Sequence, residues 1–191
     1  MILNHNDKYI YIAIPKTAST TVHMAWGHTE HPEPPLYHMK LDECLVENPE
    51  CSDYFKFCFV RNPYDRFIST WFNLVDPNAG HTWATELRDY ENIDNFCKNF
   101  VDSKWSDWIH FRPQVDYCIV NGENKMDFIG RQENFDEDFS KACNLIGIGR
   151  PSTGRFRTTP HGSVDECLTA ENKEIIYNFY KKDFELFNYE K

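Results

Sequence analysis

An α/β fold, with a parallel sheet flanked by helices, is the architecture this sequence predicts, and three observations carry the prediction. Residues 9–14 (YIYIAI) and 55–60 (FKFCFV) are apolar, β-branched and aromatic runs of strand length. Each passes through a short turn directly into a segment with helix-start residues. The rest of the chain alternates amphipathic helical spacing with further short apolar runs, and strands separated by helices form parallel sheets with ligands at the strand C-terminal ends. At 191 residues the length prior gives one domain, residues 1–191, large enough for a real core.

Taken in order, residues 1–8 (MILNHNDK) carry no apolar signal-peptide core and enter the first strand almost at once. Residues 15–19 (PKTAS) make a tight turn with one cation, and residues 20–26 (TTVHMAW) open a helix. A polar, Pro-rich loop follows at 28–35 (HTEHPEPP). Residues 36–39 (LYHM) predict a short strand, and 41–48 a brief helix stopped by Pro49. After the strand at 55–60, Asn62 suits the N-cap, Pro63 the first helical position and Asp65 the positive helix end, so a helix runs over 63–73. Residues 76–80 form a loop. Over 83–101 the apolar residues Leu87, Tyr90, Ile93, Phe96, Cys97 and Phe100 keep near-helical spacing and predict a core helix. The stretch 104–114 (KWSDWIHFRPQ) is denser in rings and polar groups than a core helix needs. Two strands at 117–120 and 126–130 flank an Asn121-Gly122 turn, an amphipathic helix covers 136–146, a loop covers 147–161, and a final amphipathic helix covers 170–186.

The turn at 15–19 has the layout of a phosphate-binding loop. Successive backbone N–H groups and the positive end of a helix face an anion there, and Lys16 adds a full charge. It is not a Walker A loop, because it contains no Gly; the plainer reading is a strand-to-helix turn with hydroxyl caps. Arg61 ends the second strand, and Ser69, two helical turns on, lies toward the same side of the following helix. An Arg fork and a hydroxyl converging on one point make a phosphate clamp. The competing role for Arg61 is an ion pair with Asp65. For Arg66 a structural ion pair and a ligand contact stand side by side.

IPKTAST and FVRNPYDRFIS resemble the two nucleotide-binding signatures of sulfotransferases that use 3′-phosphoadenosine 5′-phosphosulfate (PAPS), most closely the carbohydrate O-sulfotransferase branch. HFRPQ at 110–114, DFIGRQENF at 127–135 and the ending YKKDFELFNYE at 180–190 are similar to its central motif pair and C-terminal helix. The resemblance implies a P-loop-like sulfotransferase fold and in-line transfer of a sulfuryl group from PAPS to a hydroxyl acceptor, a carbohydrate in that branch, leaving adenosine 3′,5′-bisphosphate and requiring no metal. It implies that Lys16 contacts the oxygen bridging sulfur to the 5′-phosphate. Thr17, Ala18, Ser19, Thr20 and Thr21 would then supply N–H groups and hydroxyls to that phosphate. Arg61 and Ser69 would hold the 3′-phosphate, joined by Arg155 or Arg157 from a loop that closes over the nucleotide; a solvated basic loop is the alternative for those two. His38, between the two signatures, matches the position of the general base in the uronyl 2-O-sulfotransferase-like branch. His110 is the second candidate, with a structural role in its motif as the alternative, and a carboxylate base stays open. His5, His28, His31 and His81 fall in loops.

Composition bounds the rest. The net charge of −10 argues against nucleic acid as a partner and requires an anionic ligand to be held by local cations against the overall field. No apolar run approaches a membrane span, so a soluble or cytoplasmic chain is expected, without the N-terminal anchor of the animal enzymes of that branch. Seven cysteines, odd in number and without a C-x-x-C pair, read as reduced, mostly buried thiols rather than a disulfide framework or a zinc site. Acceptor recognition is expected in the loops 28–35, 76–85 and 104–114. Trp105, Trp108 and Tyr37 either stack on sugar faces or belong to the core. A small nucleotide kinase and a non-catalytic nucleotide-binding protein are the alternative readings of the same motifs.

Overall fold

The computed structural model describes residues 1–27, 36–154 and 159–191. In chain order the elements are β1 (Ile2–Asn4), β2 (Tyr9–Ile12), α1 (Ser19–Ala25), α2 (Leu41–Glu47), β3 (Phe55–Val60), α3 (Pro63–Val75), α4 (Ile93–Phe100), β4 (Ile119–Val120), β5 (Glu123–Asn124), β6 (Phe128–Arg131), α5 (Phe135–Ile146), α6 (Val164–Cys167), α7 (Ala170–Phe179) and α8 (Lys181–Phe187). They fall into two compact units, Met1–Arg61 with Gln114–Arg157, and Asn62–Pro113 with Thr158–Lys191.

The first unit is the α/β part. Its main sheet has the order β1-β2-β3-β6. β2, β3 and β6 run parallel, with Tyr11 opposite Phe57 and Phe57 opposite Phe128. One face carries Tyr9, Tyr11, Phe57 and Phe59, which pack against Val22 of α1 and Phe139, Ala142 and Cys143 of α5. The alternate side chains Ile10, Ile12 and Cys58 are equally buried. Burial on both faces explains why these strands read as unbroken apolar runs rather than alternating ones. At Gly130 a Cβ would lie 2.5 Å from a ring carbon of Phe59, so β6 approaches β3 through a residue with no side chain.

The expected parallel sheet is present in β2, β3 and β6, and β1 adds an antiparallel edge by pairing with β2. The chain reverses between them in a tight turn, where the Asp7 N–H donates to Asn4 Oδ1 at 2.8 Å and Lys8 takes a φ of 52°. A turn that short joins only antiparallel strands. The small β4-β5 hairpin turns at Asn121 and Gly122, with φ of 52° and 82°, as a type I′ connection requires. The strand expected at 36–39 is instead a 3-10 turn, Leu36–His38.

The second unit is helical. Phe67, Trp71, Phe96, Phe100, Phe111, Ile176, Tyr180 and Phe184 form its buried core. Phe96 lies between Phe67 and Trp71, with ring centroids 5.6 and 4.7 Å away. α3 starts as expected: Asn62 Oδ1 accepts from the Tyr64 and Asp65 N–H groups, and Pro63 stands at the first turn. The single helix expected over 83–101 is broken. A 3-10 segment, Thr82–Tyr90, ends at Glu91 with φ 64°, and Asn92 then caps α4 by accepting from Asn95 N–H. The last helix also divides, at Tyr180, whose buried hydroxyl donates to the Phe111 carbonyl at 2.6 Å. All seven cysteines are thiols, six of them buried. Among the described residues no helix is long and apolar enough to cross a membrane.

Candidate active site

The strand ends of the first unit bring the Lys16 turn and Arg61 together. Beyond β2 the chain bends through Lys16 and Ala18, both left-handed, with φ of 66° and 67°. Alternating backbone hands of this kind build the concave N–H arrays that cradle anions. Thr17 is fully buried and its hydroxyl donates to the Ile14 carbonyl at 2.9 Å, so its proton pins the turn from within. Ser19 and Thr21 are buried and Thr20 half-buried. The hydroxyl caps expected for α1 are not what opens it: Ala18 is the N-cap and brings no side-chain acceptor to the first N–H groups.

Arg61 follows β3 directly and turns back to this loop. Its Nη1 donates to the Lys16 carbonyl at 3.4 Å. Its backbone is gripped at two points by Gln114, with the Arg61 N–H donating to Oε1 at 2.9 Å and Nε2 donating to the Arg61 carbonyl at 2.8 Å. Gln114 has no expected role from the sequence beyond its place in HFRPQ. A polar side chain following Pro in a ring-rich segment was the one signal present.

His38 stands at the root of the same loop. Its Nδ1 donates to the Ala13 carbonyl at 2.5 Å. A carbonyl only accepts, so in the neutral ring Nδ1 carries the proton and Nε2 is the basic nitrogen. The Tyr37 ring sits beside those of His38 and His23, with centroids 4.4 and 4.5 Å away, and its hydroxyl donates to Ser19 Oγ at 3.5 Å. Tyr37 is thus part of the packing between the His38 turn and α1.

In the second unit Ser69 lies on α3 and is buried. Arg66, 1% exposed, is held by carbonyl oxygens instead of a carboxylate: Nη1 donates to His110 O at 3.1 Å and Nη2 to Arg112 O at 2.6 Å, and the guanidinium lies 5.4 Å from the Tyr180 ring centroid. It staples the HFRPQ segment to α3. The His110 ring stacks on Trp83 at 5.6 Å. Trp105 is core at 3% exposure, whereas Trp108 is 39% exposed. Asp65 lies 3.8 Å from His161 Nε2. In the first unit Arg150 pairs with Asp136. Arg155, Arg157 and the loop 28–35 lie outside the described residues. Among the described residues no three His, Cys, Asp or Glu side chains are grouped to hold a metal ion.

The first unit therefore presents a lysine in an anion-type loop, an arginine fork tied to that loop, and an imidazole with its basic nitrogen set by a backbone bond. A model of the Sulfotransferase family matches residues 1–190. An uncharacterised protein of Archaeoglobus fulgidus is 30% identical over 116 residues, 60% of this chain and 86% of its own length. Carbohydrate sulfotransferase 11 of Rattus norvegicus is 23% identical over 74% of this chain. Carbohydrate sulfotransferase 9 of Homo sapiens is 24% identical over 71% of it. The matched regions span 49% and 38% of those two enzymes, so this chain corresponds to about half of such proteins or less. No solved structure matches.

Proposed function

Because the chain belongs to the sulfotransferase family, we propose that it moves the sulfuryl group of PAPS to a hydroxyl of a carbohydrate acceptor. The observation that carries this reading is the bond from Arg61 to the Lys16 carbonyl, which joins the two phosphate-binding segments at neighbouring parallel strand ends. The residues fit such a ligand: one flexible cation, one planar fork suited to a terminal phosphate, and a left-handed loop of small residues.

When bound, the nucleotide supplies the activated sulfuryl group. Lys16 would stabilise the negative charge left on the 5′-phosphate side as the sulfuryl group departs, and Thr17 to Thr21 would offer backbone N–H groups to that phosphate. Arg61 would hold the 3′-phosphate. His38 Nε2 takes the proton of the acceptor hydroxyl, its orientation fixed by the bond to Ala13. Sulfuryl transfer, like phosphoryl transfer, needs placement and charge stabilisation more than covalent chemistry from the protein. The carbohydrate acceptor rests on the likeness to the two mammalian carbohydrate sulfotransferases.

Calorimetric titration with adenosine 3′,5′-bisphosphate, against ATP plus Mg²⁺, tests the donor. Binding of the first and not the second is expected, and the reverse sinks the reading. His38→Ala should lower turnover by roughly 10²–10⁴ while leaving the affinity for the bisphosphate within about twofold. Near-normal turnover moves the base elsewhere.

A further inference from the structure

Arg61 stands where the sheet has run out. The pairing of β3 with β2 ends at Cys58, and its pairing with β6 ends at Val60. The next residue has its N–H and its C=O taken by a single side chain, the carboxamide of Gln114. That carboxamide has no solvent exposure. It does what a neighbouring strand does, accepting from one backbone group and donating to the other, and so prolongs the ladder by one residue. Gln114 is in turn anchored, since it opens the 3-10 turn Gln114–Tyr117 and its carbonyl accepts from the Cys118 thiol at 3.7 Å. The Arg61 guanidinium points back to the Lys16 carbonyl. With its backbone held at both polar groups, the Arg61 side chain starts from one fixed origin.

We propose that Gln114 is the positioning residue that aims Arg61, and through it sets the preference of the site for a nucleotide bearing a 3′-phosphate. This rests on the reading of Arg61 as the 3′-phosphate contact. Replacing the carboxamide removes the Gln114 bond from each of two part-buried backbone groups and loosens the origin of the fork, so the loss falls on the group that the fork holds.

The test is the ratio of affinities for adenosine 3′,5′-bisphosphate and adenosine 5′-phosphate, measured by calorimetry on the full chain. Gln114→Met is expected to lower the ratio about tenfold, with adenosine 5′-phosphate affinity within about twofold of the parent. Gln114→Asn keeps one donor and one acceptor on a shorter side chain. It should give a smaller fall in the same direction, and it carries the test where the Met variant does not fold. In an Arg61→Ala background, Gln114→Met should leave the ratio unchanged, the non-additivity of two residues acting as one unit. Equal weakening of both nucleotides marks a purely structural role and overturns the proposal, as does a full effect in the Arg61→Ala background. A parent protein with no preference for the 3′-phosphate overturns the reading of Arg61 itself, and the proposal with it; that result shows in the parent before any variant is made.

Discussion

Ala18 and Lys16 hold the same left-handed backbone for different reasons. A side chain with a Cβ is disfavoured there by about 1–2 kcal/mol, and glycine is not. At Ala18 no chemistry depends on the methyl group, so Ala18→Gly should raise the unfolding free energy by about 0.5–1 kcal/mol after the added freedom of the unfolded chain is counted. A shift of the urea midpoint upward at constant slope checks it. Lys16→Gly relieves the same strain and removes the proposed cation. It should match Ala18→Gly in stability and differ from it in losing nucleotide affinity. Strain kept at a lysine, where a glycine would be easier, is the pattern of a site that needs the side chain. The placement of Lys16 and Arg61 just beyond two strand ends was legible in the sequence because each lies in a short motif, whereas the turn that carries His38 reads there as a strand. The role of Gln114 was not legible, since its partner is 53 positions away and nothing in either segment announces the pairing. Arg66 misled in a similar way: a buried arginine suggests a carboxylate, and here carbonyl oxygens 44 and 46 positions on satisfy it.

At the level of elements, α4 and α7 are tied by one carboxylate. Asp94 accepts from Lys98 Nζ one turn on at 2.8 Å and from Asn172 Nδ2 of α7 at 2.9 Å. The Lys98 bond first, then the Asn172 bond, hold its carboxyl below the ordinary 3.8. A carboxylate lowered on folding contributes stability above its unfolded pKa, and that contribution is lost as pH falls through the folded value. Asp94→Asn should therefore flatten the fall in stability below pH ~4, followed by thermal unfolding across pH 2–6. An acid limb as steep as in the parent excludes Asp94 as its source. The elements themselves were largely legible: β3 has the bounds read from its apolar run, and α3 begins at the capped proline. What failed was continuity. The spacing over 83–101 is helical throughout, yet Glu91 turns left-handed and Asn92 caps a new helix. Periodicity records which side is buried, and a 3-10 segment followed by an α-helix buries the same side. β1 escaped because three residues are too few to show a period.

For the whole molecule, the aromatic content of 16% resolves into two cores, one around the sheet and one among the helices. The remaining global feature is charge. The chain carries 30 acidic against 20 basic side chains, and the proposed ligand is itself a polyanion. The long-range field opposes approach, while Lys16 and Arg61 attract only at short range. These contributions screen differently: the Debye length falls from about 30 Å at 0.01 M salt to about 8 Å at 0.15 M. Raising salt over that interval removes most of the distant repulsion and spares contacts of hydrogen-bond length. The association rate constant for adenosine 3′,5′-bisphosphate, followed by stopped-flow protein fluorescence, should accordingly rise with salt, the opposite of electrostatic steering toward a basic cleft. The dissociation rate should change little, because contacts of hydrogen-bond length are screened least, so the equilibrium affinity rises with the association rate. A steep fall of the association rate with salt would mean that the local cations, and not the net charge of −10, govern the field the nucleotide meets on approach.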